Sequence, residues 1–132
     1  MGAVLLHAGA SAQTTGPTNP PLVIPSMYAR DLFEFYCAAC HGRDGHGRGP
    51  AVPALRVPPP DLTTIATRNS GAFPHARVES IVTGAQVGLM SAHGSSDMPV
   101  WGPIFRELDR NDTMNKTRVA NIVGYLESIQ AN

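Results

Sequence analysis

Apolar residues near the C-terminal end of the chain recur with the period of an α-helix. They are spaced three or four residues apart in most steps, and they are Val119, Ile122, Val123, Leu126 and Ile129. Thr113 or Asn115 is available to cap the N-terminal end of such a helix. This is the clearest helical pattern in the sequence, and it predicts one apolar face that packs against the rest of the molecule.

A second helix is predicted just before the first cysteine. Ser26 can cap its N-terminal end, and its apolar residues, which fall at roughly helical spacing, are Met27, Leu32, Phe33 and Tyr36. Two shorter helical segments follow later in the chain. One runs from Pro74 to Thr83 and is ended by Gly84, and the other is a single turn from Pro103 to Leu108.

Between these helices the sequence favours loops. Glycine occupies four of the eight positions from Gly42 to Gly49, Pro58 to Pro60 is a stiff extended segment, and Gly84 to Pro99 contains few large apolar residues. No turn dipeptide flanked by alternating strands occurs in the sequence. The chain is therefore predicted to be all-α, with about three to five helices joined by long loops.

Composition and charge indicate one small globular domain. The chain has 132 residues, of which 42% are hydrophobic and 15% are charged. Its ten basic and ten acidic residues give a formal net charge of zero, which does not fit the basic footprint of a nucleic-acid-binding protein. No run of residues approaches the roughly twenty apolar positions that a membrane-spanning helix needs.

The N-terminal residues differ in character from the rest. Residues 1–12 resemble a secretory signal peptide, complete or truncated, because an apolar Ala3–Leu6 run precedes the small residues of Ala10–Ala12. The positively charged residues that usually begin such a peptide are missing. Residues 13–25 are rich in proline and are predicted to be an extended linker. The folded domain is therefore expected to cover residues 26–132.

The strongest chemical signal is the segment Cys37-Ala38-Ala39-Cys40-His41, which contains the only two cysteines of the chain. Its C-x-x-C-H spacing suits covalent attachment of haem, since two thiols can add to the porphyrin vinyl groups while the adjacent imidazole binds iron. A disulfide between the cysteines would leave His41 without a role. A zinc site is hindered by the adjacency of Cys40 and His41, and it would need two histidines from the set His41, His46, His75 and His93.

Taken in order, these segments resemble the class I cytochrome c family, specifically its bacterial monohaem members. The resemblance covers about residues 26–130 and rests on an aromatic residue before the cysteines, a glycine-rich loop after them, a methionine-containing loop and a closing helix. The corresponding parts of this chain are Phe33, Cys37–Gly42 with Gly45–Pro50, Asp97–Gly102 and Ile122–Leu126. One departure is Ala29, where the family commonly has glycine; alanine is small enough that we expect the two terminal helices to cross closely.

The resemblance implies a small cytochrome c-like fold around one haem c, attached covalently through Cys37 and Cys40. It also implies that His41 and Met98 are the axial ligands of the haem iron. A thioether ligand favours ferrous iron and raises the reduction potential relative to a second imidazole. Two further residues lie close enough to Met98 in the sequence to compete for its position, and they are Met90 and His93.

Other residues are expected to surround the cofactor. The backbone carbonyl of Pro50 is the candidate acceptor for the Nδ1–H of His41, and Arg48 or Arg56 can neutralise a haem propionate. His46 is expected to face solvent. The aromatic and apolar residues expected near the macrocycle or in the core are Trp101, Tyr125, Phe33, Phe35, Leu32, Leu55, Leu62 and Ile104.

These expectations describe a monohaem electron-transfer protein that works between two redox protein partners. The sequence contains no catalytic triad or paired carboxylates, so the chain is not predicted to be an enzyme by itself, although it can be a subunit of an oxidoreductase. The alternative is a haem protein with a displaceable sixth ligand that binds small molecules or reacts with peroxide. Because the family acquires its haem outside the cytoplasm, a periplasmic or otherwise exported location is expected.

Overall fold

The computed structural model describes residues 24–85 and 98–131, and every regular element in those ranges is helical, which confirms the all-α prediction. Short 3-10 helices cover Val52–Ala54 and Leu62–Thr64. Two of the α-helices are single turns that no apolar periodicity can reveal. The α-helices are α1 (Ala29–Tyr36), α2 (Ala38–His41), α3 (Ile65–Arg68), α4 (His75–Thr83), α5 (Trp101–Leu108) and α6 (Asp112–Ser128).

Some sequence predictions lie outside the described residues. These are the signal peptide at residues 1–12, nearly all of the linker at residues 13–25, and most of the loop predicted from Gly84 to Pro99. Met90 and His93 belong to that loop, so their positions are also outside the described part of the chain.

Helices α1 and α6 pack against each other at the centre of the core. Leu32 and Phe33 of α1 and Ile122 of α6 are fully buried. The ring centroids of Phe33 and Tyr125 are 4.9 Å apart, so the terminal helices do cross closely. Helices α4 and α5 pack against each other and against α6. The other buried apolar side chains are Tyr36, Ala38, Val78, Val82, Phe105, Val119, Val123 and Leu126.

The prediction that Phe35 belongs to the core is wrong, because its residue surface is 48% exposed. Successive residues of an α-helix are about 100° apart around the axis, so Phe35 lies roughly opposite Phe33. Phe33 faces α6 and is fully buried, which leaves Phe35 on the solvent side of α1.

The N-terminal end of α6 is capped by Asn111, and not by Thr113 or Asn115 as predicted. The Asn111 Oδ1 accepts a hydrogen bond from the amide of Met114 at 3.1 Å. The helix begins about two turns before Val119, its first buried apolar residue, so the apolar pattern alone could not locate its start. Ser26, which lies just ahead of α1, likewise does not cap it. Its hydroxyl donates at 2.6 Å to the side chain of Asp31 in the first turn of the helix.

Gly84 ends α4, as predicted, and brings that end of the helix against the entry to α5. Its φ of +76° lies in the left-handed region, and a Cβ at this position would collide with the side chain of Val100. Helix α5 begins at Trp101, two residues earlier than predicted. The start is compatible with Pro103 because amides in the first turn of a helix have no intrahelical partner.

The corner between α5 and α6 is held by a buried arginine. Arg118 forms an ion pair with Asp109 at 3.0 Å and donates to the Oδ1 of Asn115 at 2.8 Å. The side-chain amide of Asn115 in turn donates to the backbone carbonyl of Asp109 at 2.7 Å. These contacts fix the angle at which α5, and with it the segment that starts at Met98, meets the core.

Candidate functional site

The two cysteines lie on one helical turn. Helix α1 ends at Tyr36, and Cys37, with φ −119° and ψ −34°, separates it from α2. The Cys37 carbonyl accepts hydrogen bonds from the amides of Cys40 at 3.2 Å and His41 at 3.0 Å. Both thiols are free and half-buried. Burial, and to a lesser extent the neighbouring Cys40, raises the pKa of the Cys37 thiol to about 12, so this sulfur is protonated at neutral pH.

His41 is buried, with 7% of its surface exposed, and its Nδ1 has no hydrogen-bond partner. Burial lowers the pKa of the imidazole, while the backbone of Pro60 acts in the opposite direction. At neutral pH the ring is therefore in its uncharged form, which is the form that binds metals. Pro50, the predicted partner of this imidazole, is exposed and makes no hydrogen bond to its Nδ1, whereas the backbone of Pro60 lies next to the ring.

The glycine-rich loop after His41 folds back on α2. Its amides donate to the carbonyl groups at the end of that helix, which have no partners within the turn itself. Gly47 donates to His41 at 2.8 Å, Gly49 donates to Cys40 at 3.0 Å, and Ala51 donates to Ala39 at 2.9 Å. The loop therefore holds the backbone of the whole motif in place.

The segment after the prolines packs against the same loop. The amide of Leu62 donates to the Gly45 carbonyl at 2.8 Å, and the His46 Nδ1 lies 2.8 Å from a carboxylate oxygen of Asp61. His46 faces solvent, as predicted, with 40% of its side chain exposed, and its ring also has a partner.

An aromatic cluster joins the cysteine motif to α5. The Tyr36 ring lies 5.1 Å from that of Trp101 and 5.0 Å from that of Phe105, and the last two rings are stacked at 5.7 Å. Met98 is half-buried three residues before Trp101. The cluster therefore places the beginning of α5 next to Tyr36, the residue that immediately precedes Cys37.

The other predicted pocket residues have varied surroundings. Arg48 is exposed and pairs with Asp44 at 3.4 Å, and Arg56 is exposed. Tyr125 packs on Phe33 at the crossing of α1 and α6. The remaining predicted apolar residues are partly buried, and they are Leu55, Leu62 and Ile104.

Among the described residues, His46 and His75 are paired with carboxylates and not with the cysteines. His46 pairs with Asp61, and the Nε2 of His75 lies 2.8 Å from a carboxylate oxygen of Glu127. Within residues 24–85 and 98–131, no three or more His, Cys, Asp or Glu side chains are arranged to hold a metal ion. The zinc interpretation therefore has no support in the described part of the chain.

Sequence reasoning missed two contributors to this region. The Gln130 side chain accepts from the amide of Ala66 at 2.8 Å and donates to the carbonyl of Leu62 at 2.8 Å. No pattern in the sequence marks this contact, which joins residues more than sixty positions apart. Asp61 caps the amide of Thr63 at 2.8 Å, and here the Asp-Leu-Thr order is a recognisable capping signal.

None of the described helices has both the length and the apolar character required to cross a membrane. A protein-family model described as cytochrome c matches residues 26–130, which is most of the chain. Comparisons with curated proteins and with solved structures found no match. Proteins of the matched family carry covalently attached haem c, and Cys37 and Cys40 have the spacing that this attachment uses.

Proposed function

Because the chain belongs to the cytochrome c family and binds haem c covalently through Cys37 and Cys40, we propose that it transfers single electrons between redox proteins. The haem supplies an iron that alternates between ferric and ferrous states. We assign His41 and Met98 as the two protein ligands of that iron. With both axial positions filled by side chains, the reaction requires no acid, base or nucleophile from the protein.

The observation that carries this proposal is the environment of His41. The imidazole is buried and uncharged, it directly follows two free thiols on the same helical turn, and its Nδ1 has no partner. A buried polar atom without a hydrogen-bond partner costs free energy of folding, so its presence in this ring indicates a functional role. A metal-binding imidazole donates its second ring nitrogen to a nearby acceptor, and the Pro60 carbonyl is our candidate for that role.

The assignment of Met98 has separate support. Met98 is half-buried immediately ahead of α5, and the aromatic cluster anchors the start of α5 beside the residue that precedes Cys37. Pro99 restricts the backbone of Met98 and so limits the directions its side chain can take. A thioether is a soft, uncharged ligand that favours ferrous iron.

We place the haem-binding domain at residues 26–132, after a signal peptide and linker, and propose a periplasmic or otherwise exported location, since the family acquires its haem outside the cytoplasm. Ala39, between the two cysteines, is exposed, so the site of haem attachment reaches the protein surface. We propose that electrons enter and leave at this edge.

The experiment that tests the ligand assignment compares Met98→Ala with Met114→Ala. Met114 is half-buried in α6 and serves as a matched control. We expect Met98→Ala to keep its covalent haem, to lose the near-infrared band that reports sulfur bound to ferric iron, and to have a lower reduction potential. Met114→Ala should retain both the band and the potential.

Absorption spectra of the ferric and ferrous proteins and of the pyridine adduct give the haem type, its attachment and its ligation together. A sulfur band that persists in Met98→Ala would transfer the ligand role to Met90. A wild-type protein that lacks the band but stays low-spin would favour His93. A high-spin wild-type spectrum with rapid cyanide binding would overturn the electron-transfer proposal in favour of a small-molecule-binding haem protein.

A further inference from the structure

Polar contacts concentrate where the proline segment meets the glycine-rich loop. Gly47, at φ +76°, has no side chain, and a Cβ there would collide with the carbonyl oxygen of Pro59. The Gly47 amide donates to the carbonyl of His41 at 2.8 Å, and the neighbouring Gly45 carbonyl accepts from Leu62 at 2.8 Å. The backbone of Pro59 and Pro60 therefore lies against Gly47, whose amide is bonded to the backbone of His41.

One side-chain pair connects these two segments, His46 of the loop and Asp61 of the proline segment. The His46 Nδ1 is 2.8 Å from one Asp61 oxygen, while the other oxygen accepts from the amide of Thr63 at 2.8 Å and from its hydroxyl at 2.7 Å. These bonds, from Thr63 first and His46 second, lower the pKa of Asp61 to about 2. The carboxylate is ionised at neutral pH and can only accept, so Nδ1 of His46 is the donor.

We propose that His46 and Asp61 act as a positioning pair that holds the Pro60 backbone beside His41 and thereby tunes the electron donation of this imidazole to the haem iron. This inference rests on the proposed function, in which His41 is an axial ligand. A hydrogen bond from the second ring nitrogen makes an imidazole a stronger donor and stabilises ferric iron. In the haem-bound state proposed above, where His41 donates to the Pro60 carbonyl, loss of the pair would let that carbonyl move, weaken the bond and favour the ferrous state.

Contacts with the C-terminal end of the chain hold the residues that follow Asp61. After Asp61, the Leu62 carbonyl accepts from Gln130 at 2.8 Å and the Thr63 carbonyl accepts from the amide of Ala131 at 2.7 Å. Before Pro59, Val57 and Pro58 are exposed. Pro60 is itself exposed and directly precedes Asp61, so loss of the His46–Asp61 pair can shift its carbonyl without unfolding the domain.

The chain supplies a matched control. His75 and Glu127 form a second His–carboxylate pair, also 2.8 Å long and also partly exposed, which connects α4 to α6. None of the hydrogen bonds of this pair involves the cysteine motif, the glycine-rich loop or the proline segment. Truncating His75 therefore removes a histidine and an ion pair of the same kind without changing the surroundings of Pro60.

The test measures the reduction potential of the holoprotein at neutral pH for wild type, His46→Ala, Asp61→Asn and His75→Ala. Asp61→Asn retains an oxygen that accepts from Thr63 but removes the charge that holds His46. We expect His46→Ala and Asp61→Asn to shift the equilibrium toward ferrous protein by about threefold to tenfold, and His75→Ala to change it by less than about twofold.

Amide hydrogen exchange of Gly47 and Leu62 should also become faster in His46→Ala but not in His75→Ala, because both amides belong to the contacts around Pro60. Unchanged potentials in folded His46→Ala and Asp61→Asn would overturn the positioning role, as would equal shifts in all three variants. Asp61→Asn decides the outcome alone if His46→Ala does not fold. Failure of the proposed function is seen separately, in the wild-type spectrum, as the absence of histidine-ligated haem.

Discussion

The helices and the loop region around His41 are held together in different ways. Helices α1, α5 and α6 meet through apolar side chains, among which Leu32, Phe33 and Ile122 are fully buried. Residues 42–64 instead meet α2 and each other mainly through hydrogen bonds of about 2.7 to 3.2 Å that join backbone groups and a few polar side chains. Burial of apolar side chains holds the helices together, whereas hydrogen bonds, which depend on direction, hold the loop region.

This difference predicts that the two regions contribute differently to the protein: the helical core to the free energy of folding, and the loop region to the position of groups around His41. A typical hydrogen bond contributes about 1 kcal/mol net to folding, whereas truncating a large buried aromatic side chain costs about 3–5 kcal/mol. Changes in the helical core should therefore appear mainly as lost stability. Changes around His41 should appear mainly in the properties of the haem.

Among substitutions in the region around His41, we expect His41→Ala to have the largest effect, and this effect is on haem binding. Haem attachment and iron ligation by His41 are expected to fail together, so the variant should not give a stable holoprotein. Haem content is measured by absorbance relative to protein and by the mass of the intact chain. His75→Ala, which removes an exposed histidine, should carry haem normally. A folded His41→Ala protein with a full complement of covalent haem would contradict the assignment of His41.

On the helical side, the comparison is tested with two phenylalanines of α1. Phe33 is fully buried against Tyr125 and Phe35 is 48% exposed. We expect Phe33→Ala to lower the free energy of unfolding of the holoprotein by about 3–5 kcal/mol, and Phe35→Ala by less than about 1 kcal/mol. Denaturant unfolding followed by far-ultraviolet circular dichroism gives both values. Equal losses would mean that the orientation of α1 is wrong.

The same difference explains what could be predicted from the sequence. Apolar periodicity identified α1, α4 and α6, because the burial of one helix face leaves a regular trace in the sequence. The spacing of Cys37, Cys40 and His41 indicated haem attachment for the same kind of reason, since covalent chemistry requires fixed positions.

Contacts between loops leave no such trace. The sequence pointed to Pro50 as the partner of His41, but the structure places the backbone of Pro60 there, because the glycine-rich loop turns back on α2 and carries Pro50 to the surface. Which carbonyl arrives beside a buried ring depends on the path of the whole loop. The side chain of Gln130, which joins the C-terminal end to Leu62 and Ala66, could not be anticipated for the same reason.

The smallest effect is expected from removing a polar contact within the helical region. It tests whether hydrogen bonds there influence only stability, unlike those of the loop region. Asn111 accepts from the amide of Met114 at 3.1 Å and caps α6, while Thr113 lies within the first turn. We expect Asn111→Ala to cost about 1 kcal/mol of the free energy of unfolding, and Thr113→Ala to cost clearly less. Neither variant should alter the reduction potential, because the hydrogen bonds of Asn111 are with Asp109, Met114 and Asn115 and none of them reaches residues 37–62. If Thr113→Ala were the more costly change, the helix would begin later than Asp112. A shifted potential in Asn111→Ala would instead show that directional contacts in the helices also reach the haem, and the separation between a stabilising core and a positioning loop would fail.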